Sequence, residues 1–478
     1  MDSLVKAKIK NIVGNDSYFD SDEDRLCYSY DGTPLYHQLP DAVIFPKDDD
    51  QISQIVKLAN SAGFNIVPRG AGTGLSGGSI PVENSIALVM TRWNHILEVD
   101  RNNLTAWVEP GVVTGILQKE VEKFGLFYPP DPGSLNVCTI GGNVANNAGG
   151  LRGLKYGVTK NYVMGIEMVL PNGDLLKTGG KNYKDVAGYN LRDFIVGSEG
   201  TLGIITKILL KIIPKPARTI TMTAYFNKLV NSAQTVSDII AAQITPSMME
   251  FLDNTTINCI EDYTKIGLPR NAEAMLLIEV DGKGSAVDED AAIVQSIFRK
   301  NNASNVRITS IESEGLILKT ARRSAFSALA RRSPTTILED ATVPRSELSV
   351  MMEKVTEAAR KFDVVIGNFG HAGDGNLHPT CLTDERDIKE IDKAHRAFEF
   401  IFNQAIKLGG TITGEHGTGL AKKQFLESVA GIPGIEMMKK IKTSIDENNV
   451  INPGKIFSIS PRCEGSLPHR QEQIKDFH

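Results

Sequence analysis

Hydrophobic positions change their spacing several times along this chain, and each change marks an element. Apolar residues recur every three to four positions from Asp50 to Ala62, which predicts a helix. Short β-branched runs at Asn65–Pro68, Ile86–Met90 and Thr105–Glu109 predict strands. Ile166 to Lys177 reads as a hairpin around Asn172-Gly173, and the run from Ile204 to Ile213 stops at Pro214 and Pro216, a natural boundary. Beyond it, strands at Thr219–Tyr225 and Ala274–Val280 are separated by helical patterns at Ser232–Ile244, Asp288–Lys300 and Arg345–Phe362. That alternation with long helices predicts an α+β unit. A last helical stretch, Gln424 to Asn448, leads to Ile451-Asn-Pro-Gly-Lys-Ile-Phe457, and the residues from Ser458 onward are polar. The expected organisation is an N-terminal helical extension (1–40), a glycine-punctuated domain (41–216), an α+β domain (217–420), a helical return (421–457) and a polar tail (458–478).

Bulk composition narrows the function classes. At 478 residues the chain is too long for one ordinary core. A net charge of -5 argues against a nucleic-acid partner. The five cysteines (Cys27, Cys138, Cys259, Cys381, Cys463) show no CxxC spacing, so they read as buried or inert thiols of a reducing compartment. The first ten residues lack an apolar core, and no stretch approaches the ~18 apolar residues of a membrane span. A cytoplasmic protein without a membrane span is expected.

Glycines carry the first chemistry. Pro68-Arg-Gly-Ala-Gly-Thr-Gly-Leu-Ser-Gly-Gly-Ser79 follows a strand and places five glycines in nine residues. Such a loop can turn several N–H groups toward one anion. Gly72, Gly74 and Gly77 satisfy GxGxxG, but Ile80-Pro81 and a strand follow where a nicotinamide-binding fold requires a helix. Two further glycine-rich stretches, Pro129–Gly150 and Gly197–Gly203, extend the backbone donor surface beyond the needs of a mononucleotide. A long dinucleotide fits better.

Histidines carry the second. His371-Ala-Gly-Asp-Gly-Asn-Leu-His378 brackets an Asp-Gly turn signal. If Asp374-Gly375 is the turn, the two imidazoles stand opposite each other on one face, with Cβ atoms about 5 Å apart. Thr413-Gly-Glu-His-Gly-Thr418 adds a carboxylate and a third imidazole, and three of the eight histidines fall in these two contexts. A surface hairpin can carry histidines by chance, but His371, His378 and Glu415 together form a plausible divalent-metal set. Zn²⁺ is the first expectation, with Mn²⁺ and Fe²⁺ as alternatives, because an N/N/O set discriminates weakly among them.

The three glycine-rich stretches, with the Asn-Pro-Gly-Lys of 452–455, resemble the flavin-binding landmarks of the vanillyl-alcohol-oxidase/p-cresol-methylhydroxylase (PCMH) family. The second half, with Gly-His-Ala-Gly-Asp-Gly-Asn-Leu-His and Gly-Glu-His-Gly, is similar to its D-2-hydroxyacid dehydrogenase branch, which holds D-lactate dehydrogenases and glycolate oxidase D subunits. The likeness runs from about Ala42 to Phe457. It implies an α+β architecture: a two-subdomain PCMH-type FAD-binding domain, then an α+β cap with a C-terminal helical return.

By the same resemblance, Arg69, Gly70, Ala71, Gly72, Thr73, Gly74, Gly77, Gly78 and Ser79 would hold the FAD pyrophosphate. Pro132, Gly133, Ser134, Gly141, Gly142, Asn143, Asn146 and Gly149 would line the ring and ribityl chain. Glu199, Gly200 and Ile205 would sit by the adenine or ribityl end, and Asn452 would return to the flavin. No histidine lies between His95 and His371, although Cys138 is present, so non-covalent FAD is expected. Oxidising a D-2-hydroxyacid needs a hydride acceptor, a base and a carboxylate anchor. His416 is the expected base. In Thr320-Ala-Arg-Arg-Ser-Ala-Phe326 the anchor falls on Arg322, with Arg323 the alternative if the register slips. Hydroxyglutarate members carry a Thr four residues past the arginine and a Lys before the Asp of the next strand. Here those positions are Phe326 and Leu338, and Thr380 stands where such members often have Asn. These exchanges favour D-lactate, glycolate or another short acid. A quinone, a cytochrome or an electron-transfer flavoprotein is the expected acceptor, and a homodimer the expected assembly. The rivals are an alkyl-dihydroxyacetonephosphate-synthase-like transferase and a FAD-carrying electron-transfer subunit.

Overall fold

Asp48 opens the first long helix by accepting a hydrogen bond from the Gln51 N–H at 2.8 Å. The helix spans Asp49–Ala62, turns Ile52, Ile55, Val56 and Ala59 inward, and ends at Gly63, whose φ of 72° is the left-handed cap position. The chain then enters the strand Asn65–Arg69 and delivers the glycine loop at its end. In this computed structural model, residues 1–458 are described; the polar tail foreseen from Ser458 lies, but for that first residue, outside them.

Four sheets organise those residues. The first runs Tyr18–Phe19, Ala42–Ile44, Ser85–Val89, Asn65–Arg69, parallel except for the first pair. Ser85–Val89 is buried at every position, as a parallel strand covered on both faces should be. The 1–40 segment is tied to this unit, because Tyr18–Phe19 is its edge strand and the Gly32 N–H donates to Gly74 O at 2.8 Å. The second sheet is antiparallel, in the order Ile96–Asp100, Thr105–Val108, Ile204–Lys211, Val163–Val169, Leu175–Gly179. Its last two strands form the expected hairpin, with Gly173 at φ 88°. A two-stranded ribbon pairs Ile213–Pro214 with Leu126–Phe127.

The fourth sheet builds the second half. Its order is Ser304–Thr309, Arg218–Phe226, Ala274–Gly282, Met248–Asp253, Val365–His371, Asn376–Thr383, Thr335–Leu338, all antiparallel, with Ala341–Thr342 beside Asn376–Thr383. Both faces are covered. Leu276, Ile278 and Val280 point into a core shared with the helices Leu229–Ala241, Ala286–Lys300, Leu348–Phe362 and Ile388–Lys407. Met275 and Leu277 point the other way, toward the helices Asn254–Thr264, Glu312–Arg323 and Ala325–Ala330. Period-two alternation thus separates a structural face from a second face that carries Phe369 and Leu382.

The histidine hairpin differs from its expected register. The turn is four residues long, Ala372–Gly375, so His371 pairs with Asn376 and His378 with Phe369. The imidazoles are diagonal, not directly opposed. An offset of two preserves the parity of the pleat, so both stay on one face. The Val343 N–H donates to Gly375 O at 3.1 Å, and a Cβ on Gly375 would collide with Val343 O. The turn itself is closed locally, the Gly375 N–H donating to His371 O at 3.1 Å.

The C-terminal helix Leu426–Ile445 is interrupted at Gly431 (φ 65°), just before Pro433. The chain then returns to the first sheet, where Ile451 bridges Ile66 in parallel. No helix among the described residues is long and apolar enough to cross a membrane.

Candidate active site

A cavity of about 600 Å³ lies between the glycine loops and the second face of the large sheet. Arg69, Gly70, Ala71, Gly72, Thr73, Gly74, Gly78 and Ser79 form one wall, with Pro132, Gly133, Ser134, Gly141, Gly142, Asn143, Asn146, Glu199, Gly200 and Ile205 continuing it. The Arg69 guanidinium lies beneath the loop, where a Cβ on Gly72 would strike it. Ser79 Oγ is buried without a hydrogen-bond partner, an unspent polar atom on this wall. These donors suit a long anionic dinucleotide such as FAD.

Three expected contacts sit behind the wall. Gly77 packs against Leu420, 3.2 Å from where its Cβ would be. Gly149 lets the backbone approach Glu415, whose Oε2 would lie 3.0 Å from an added Cβ. Asn452 is a brace: its Nδ2 donates to Gly78 O at 3.0 Å and to Glu199 O at 2.9 Å. Glu199 also works across elements, its carboxylate accepting the N–H groups of Thr418 and Gly419, both at 2.7 Å. Cys138 lines the cavity, but burial pushes its thiol up from the ordinary value.

The opposite wall carries Arg322, Arg323, Phe326, Leu338, Phe369, His371, His378, Glu415 and His416. The two arginines at the end of Glu312–Arg323 are differently engaged. Arg323 Nη2 reaches both oxygens of Asp131 at 2.8 and 2.7 Å, and Arg152 Nε approaches the same carboxylate at 3.5 Å. Burial alone would raise the Asp131 carboxyl, but these two cations outweigh it and hold the group below the usual range. Arg322 lies over the Phe369 ring at 4.8 Å, with Nη2 2.6 Å from Glu250 Oε2 and Nε buried without a partner. Thr380 does not reach the cavity; its hydroxyl donates to His378 O at 3.1 Å.

His371, His378 and Glu415 offer ligand atoms that all lie within 4.8 Å of one another. Glu415 Oε1 is the hub, 3.3 Å from His371 Nε2, 3.4 Å from His378 Nε2 and 3.7 Å from His416 Nε2. Zn–N and Zn–O bonds of about 2.0–2.1 Å put neighbouring ligand atoms of a tetrahedron roughly 3.3 Å apart. The donor set and its spacing therefore fit a divalent ion. Burial alone would lower His371, but Glu250 and Glu415 outweigh it and raise the imidazole well above its ordinary value. Burial holds His378 well below. Burial works to raise Glu415, yet the three imidazoles keep it ionised far below the usual carboxylate range.

Two buried carboxylates set this geometry, and neither stands out in the sequence. Glu250 Oε1 is 2.7 Å from His371 Nδ1. Asp340 Oδ2 accepts the N–H groups of Gly414 and Glu415 at 2.7 and 2.9 Å, while Oδ1 pairs with Lys422 and lies 3.5 Å from His416 Nδ1. The available signal was an acid inside an apolar strand run, the single Glu of Met-Met-Glu-Phe-Leu and the adjacent Glu-Asp of Ile-Leu-Glu-Asp-Ala, since such residues are almost never buried unless paired.

Known proteins place this arrangement. Residues 40–179 match the FAD binding domain family and residues 215–456 match the C-terminal domain of FAD linked oxidases. The Bacillus subtilis (strain 168) protein named glycolate oxidase subunit GlcD is 52% identical over 458 residues, spanning 96% of this chain and 97% of its own. A D-lactate dehydrogenase of Anaerostipes hadrus is 32% identical over 449 residues, 91% of this chain and 93% of its own. The crystal structure of p-cresol methylhydroxylase with substrate bound superposes with a TM-score of 0.79, covering 95% of this chain and 97% of that one at 18% identity, which supports the PCMH-type fold. The chain belongs to the FAD-linked oxidases, in the branch that contains the glycolate oxidase D subunits and the D-lactate dehydrogenases.

Proposed function

We propose that this FAD-linked oxidoreductase converts a short D-2-hydroxyacid, D-lactate or glycolate, to the 2-oxoacid. One observation carries the reading: Arg322, the His371/His378/Glu415 set and His416 open on the same cavity as the glycine loops. Bound FAD supplies the hydride acceptor, and a divalent ion on His371, His378 and Glu415, Zn²⁺ first, supplies a Lewis acid for the substrate hydroxyl. Arg322 anchors the carboxylate through its unpartnered Nε and its planar fork. His416 takes the hydroxyl proton at Nε2, while Asp340 beside Nδ1 stabilises the imidazolium that results. Phe326 and Leu338 offer no partner for a distal carboxylate, which favours a short or apolar side chain. Cys138, buried and held in its thiol form, and the absence of histidine between His95 and His371 favour non-covalent FAD. The relatives named glycolate oxidase subunit and D-lactate dehydrogenase support the substrate class, and the word subunit favours a partner protein on the path to a quinone, a cytochrome or an electron-transfer flavoprotein.

Anaerobic bleaching of the flavin by a panel of D- and L-2-hydroxyacids, before and after chelation, tests the reading. D-lactate or glycolate should bleach it, L-lactate and D-2-hydroxyglutarate poorly, and chelation should slow the response. No bleaching by any acid with metal restored overturns the assignment.

A further inference from the structure

We propose that Glu250 is a positioning residue that couples the two ends of the site, one buried carboxylate orienting both the metal-ligating His371 and the carboxylate-binding Arg322. The inference rests on the ligand reading of His371, His378 and Glu415 given above.

Glu250 stands in the middle of Met248–Asp253, between strands Ala274–Gly282 and Val365–His371 of the large sheet. Its neighbours Met248, Met249, Phe251 and Leu252 are all buried, and its own exposure is 0%. A charge so placed is tolerated only where partners satisfy it. The strand register provides the first partner, since Glu250 and His371 are directly paired across the antiparallel ladder. The helix Glu312–Arg323 provides the second from the same face.

Each oxygen has a separate task. With Oε1 2.7 Å from His371 Nδ1, that nitrogen donates its N–H to the carboxylate, which leaves Nε2, 3.3 Å from Glu415 Oε1, as the nitrogen that would give its lone pair to a metal ion. This is the outer carboxylate that fixes tautomer and ring orientation at histidine-ligated metals. Oε2 lies 2.6 Å from Arg322 Nη2 as an ion pair outside hydrogen-bond alignment, which holds the guanidinium over Phe369 while Nε remains unpaired. Substrate carboxylate at Arg322 and metal at His371 are thereby oriented by the same group. A glutamine in its place can satisfy one partner only. Its oxygen accepts from either the imidazole or the guanidinium, and its NH₂ then faces the other donor.

The test uses the purified flavoprotein, stripped of metal, with Zn²⁺ titrated in competition with a chromogenic chelator and KM and kcat measured after reloading. Glu250→Gln should weaken Zn²⁺ binding about 10–100-fold and raise KM for the hydroxyacid with its flavin content unchanged. Arg322→Gln should raise KM as well but leave Zn²⁺ binding equal or tighter, because Glu250 then faces His371 alone. That divergence is not the signature of a general loss of structure, which would lower flavin and zinc together in both variants. Zn²⁺ affinity of flavin-loaded Glu250→Gln within twofold of the parent, while the His371→Ala/His378→Ala double variant loses the metal, overturns the inference and leaves the ligand assignment standing. Unchanged affinity in the double variant overturns the ligand assignment and the inference with it. If Glu250→Gln retains no flavin, Glu250→Asp is read by the same criteria, since it keeps the charge but is one methylene short of reaching both partners.

Discussion

Arg322 and Arg323 are adjacent in sequence, both flank the cavity, and each meets a buried carboxylate, yet their arrangements assign them different work. Arg323 reaches both oxygens of Asp131, which is 1% exposed, through the single nitrogen Nη2, so it joins the second half of the chain to the Pro132 loop. Arg322 instead lies over the Phe369 ring at 4.8 Å, with Nη2 beside the Glu250 carboxylate that also meets His371. Replacing Arg322 by Lys retains the charge and removes the planar fork. A charged hydrogen bond is worth about 1.5–3 kcal/mol, so kcat/KM for D-lactate or glycolate should fall roughly 10–100-fold, mostly through KM, with the unfolding midpoint nearly unchanged. Arg323→Ala should behave oppositely. It strands a buried carboxylate, with Arg152 left at 3.5 Å as partial compensation, and breaking such pairs costs about 3–5 kcal/mol. Its urea midpoint should drop clearly. Steady-state kinetics and denaturation on the two variants separate the roles, and a reversed pattern moves the anchor to Arg323.

At the scale of elements, the segment after the broken C-terminal helix acts as a strap on the glycine loop. Lys455 is buried, and its Nζ donates to Ile80 O at 2.6 Å. Burial depresses its ammonium to about 7, against partial relief from Asp31 and Glu199. Below pH 7 the folded and unfolded states both hold this proton. Between about 7 and the ordinary 10.5 only the unfolded state does, so stability rises with pH across that window, by at most about 1.4 kcal/mol per unit. The urea midpoint of flavin-free protein should therefore climb from pH 7 toward 9.5, and the climb should flatten in Lys455→Met. Parallel profiles would show that Lys455 does not titrate in this range. The Asn-Pro-Gly-Lys motif of this strap was legible in the sequence, as were the glycine loops, the Gly-Glu-His segment and the face shared by His371 and His378, because each is local. The pairing of that hairpin was not, since an Asp-Gly pair suits both a two-residue turn and the four-residue turn found, in which the Gly375 N–H reaches back to His371 O. Glu250 and Asp340 stayed hidden for a different reason: their meaning depends on strand neighbours distant in sequence.

Over the whole molecule, one cavity draws on segments from Gly32 to His416 and is closed from behind by residues near position 452. The two halves meet there through polar contacts that cross the chain. Ser76 Oγ donates to His416 O at 2.9 Å, Glu199 accepts from Thr418 and Gly419, and Lys155 and Tyr156 reach Asp281. Asn452 is the point where this network touches the proposed cofactor wall, because its one amide group serves two backbone carbonyls, the half-buried Gly78 O and the buried Glu199 O. Removing it leaves both acceptors unsatisfied, at a cost of about 1–3 kcal/mol for such a group. That loss falls on the conformation of the glycine loop and so on its affinity for FAD. Asn452→Ala should weaken FAD binding by roughly tenfold or more, read as flavin fluorescence released on dilution. Asn448→Ala is the matched control. It lies on the same returning segment, is exposed, and gives up only a 2.8 Å bond to Asn60 Oδ1 on the surface, so its flavin retention should equal the parent's. If both variants release flavin equally, the strap acts through general stability and not through the loop; if neither does, the loop holds its shape without it.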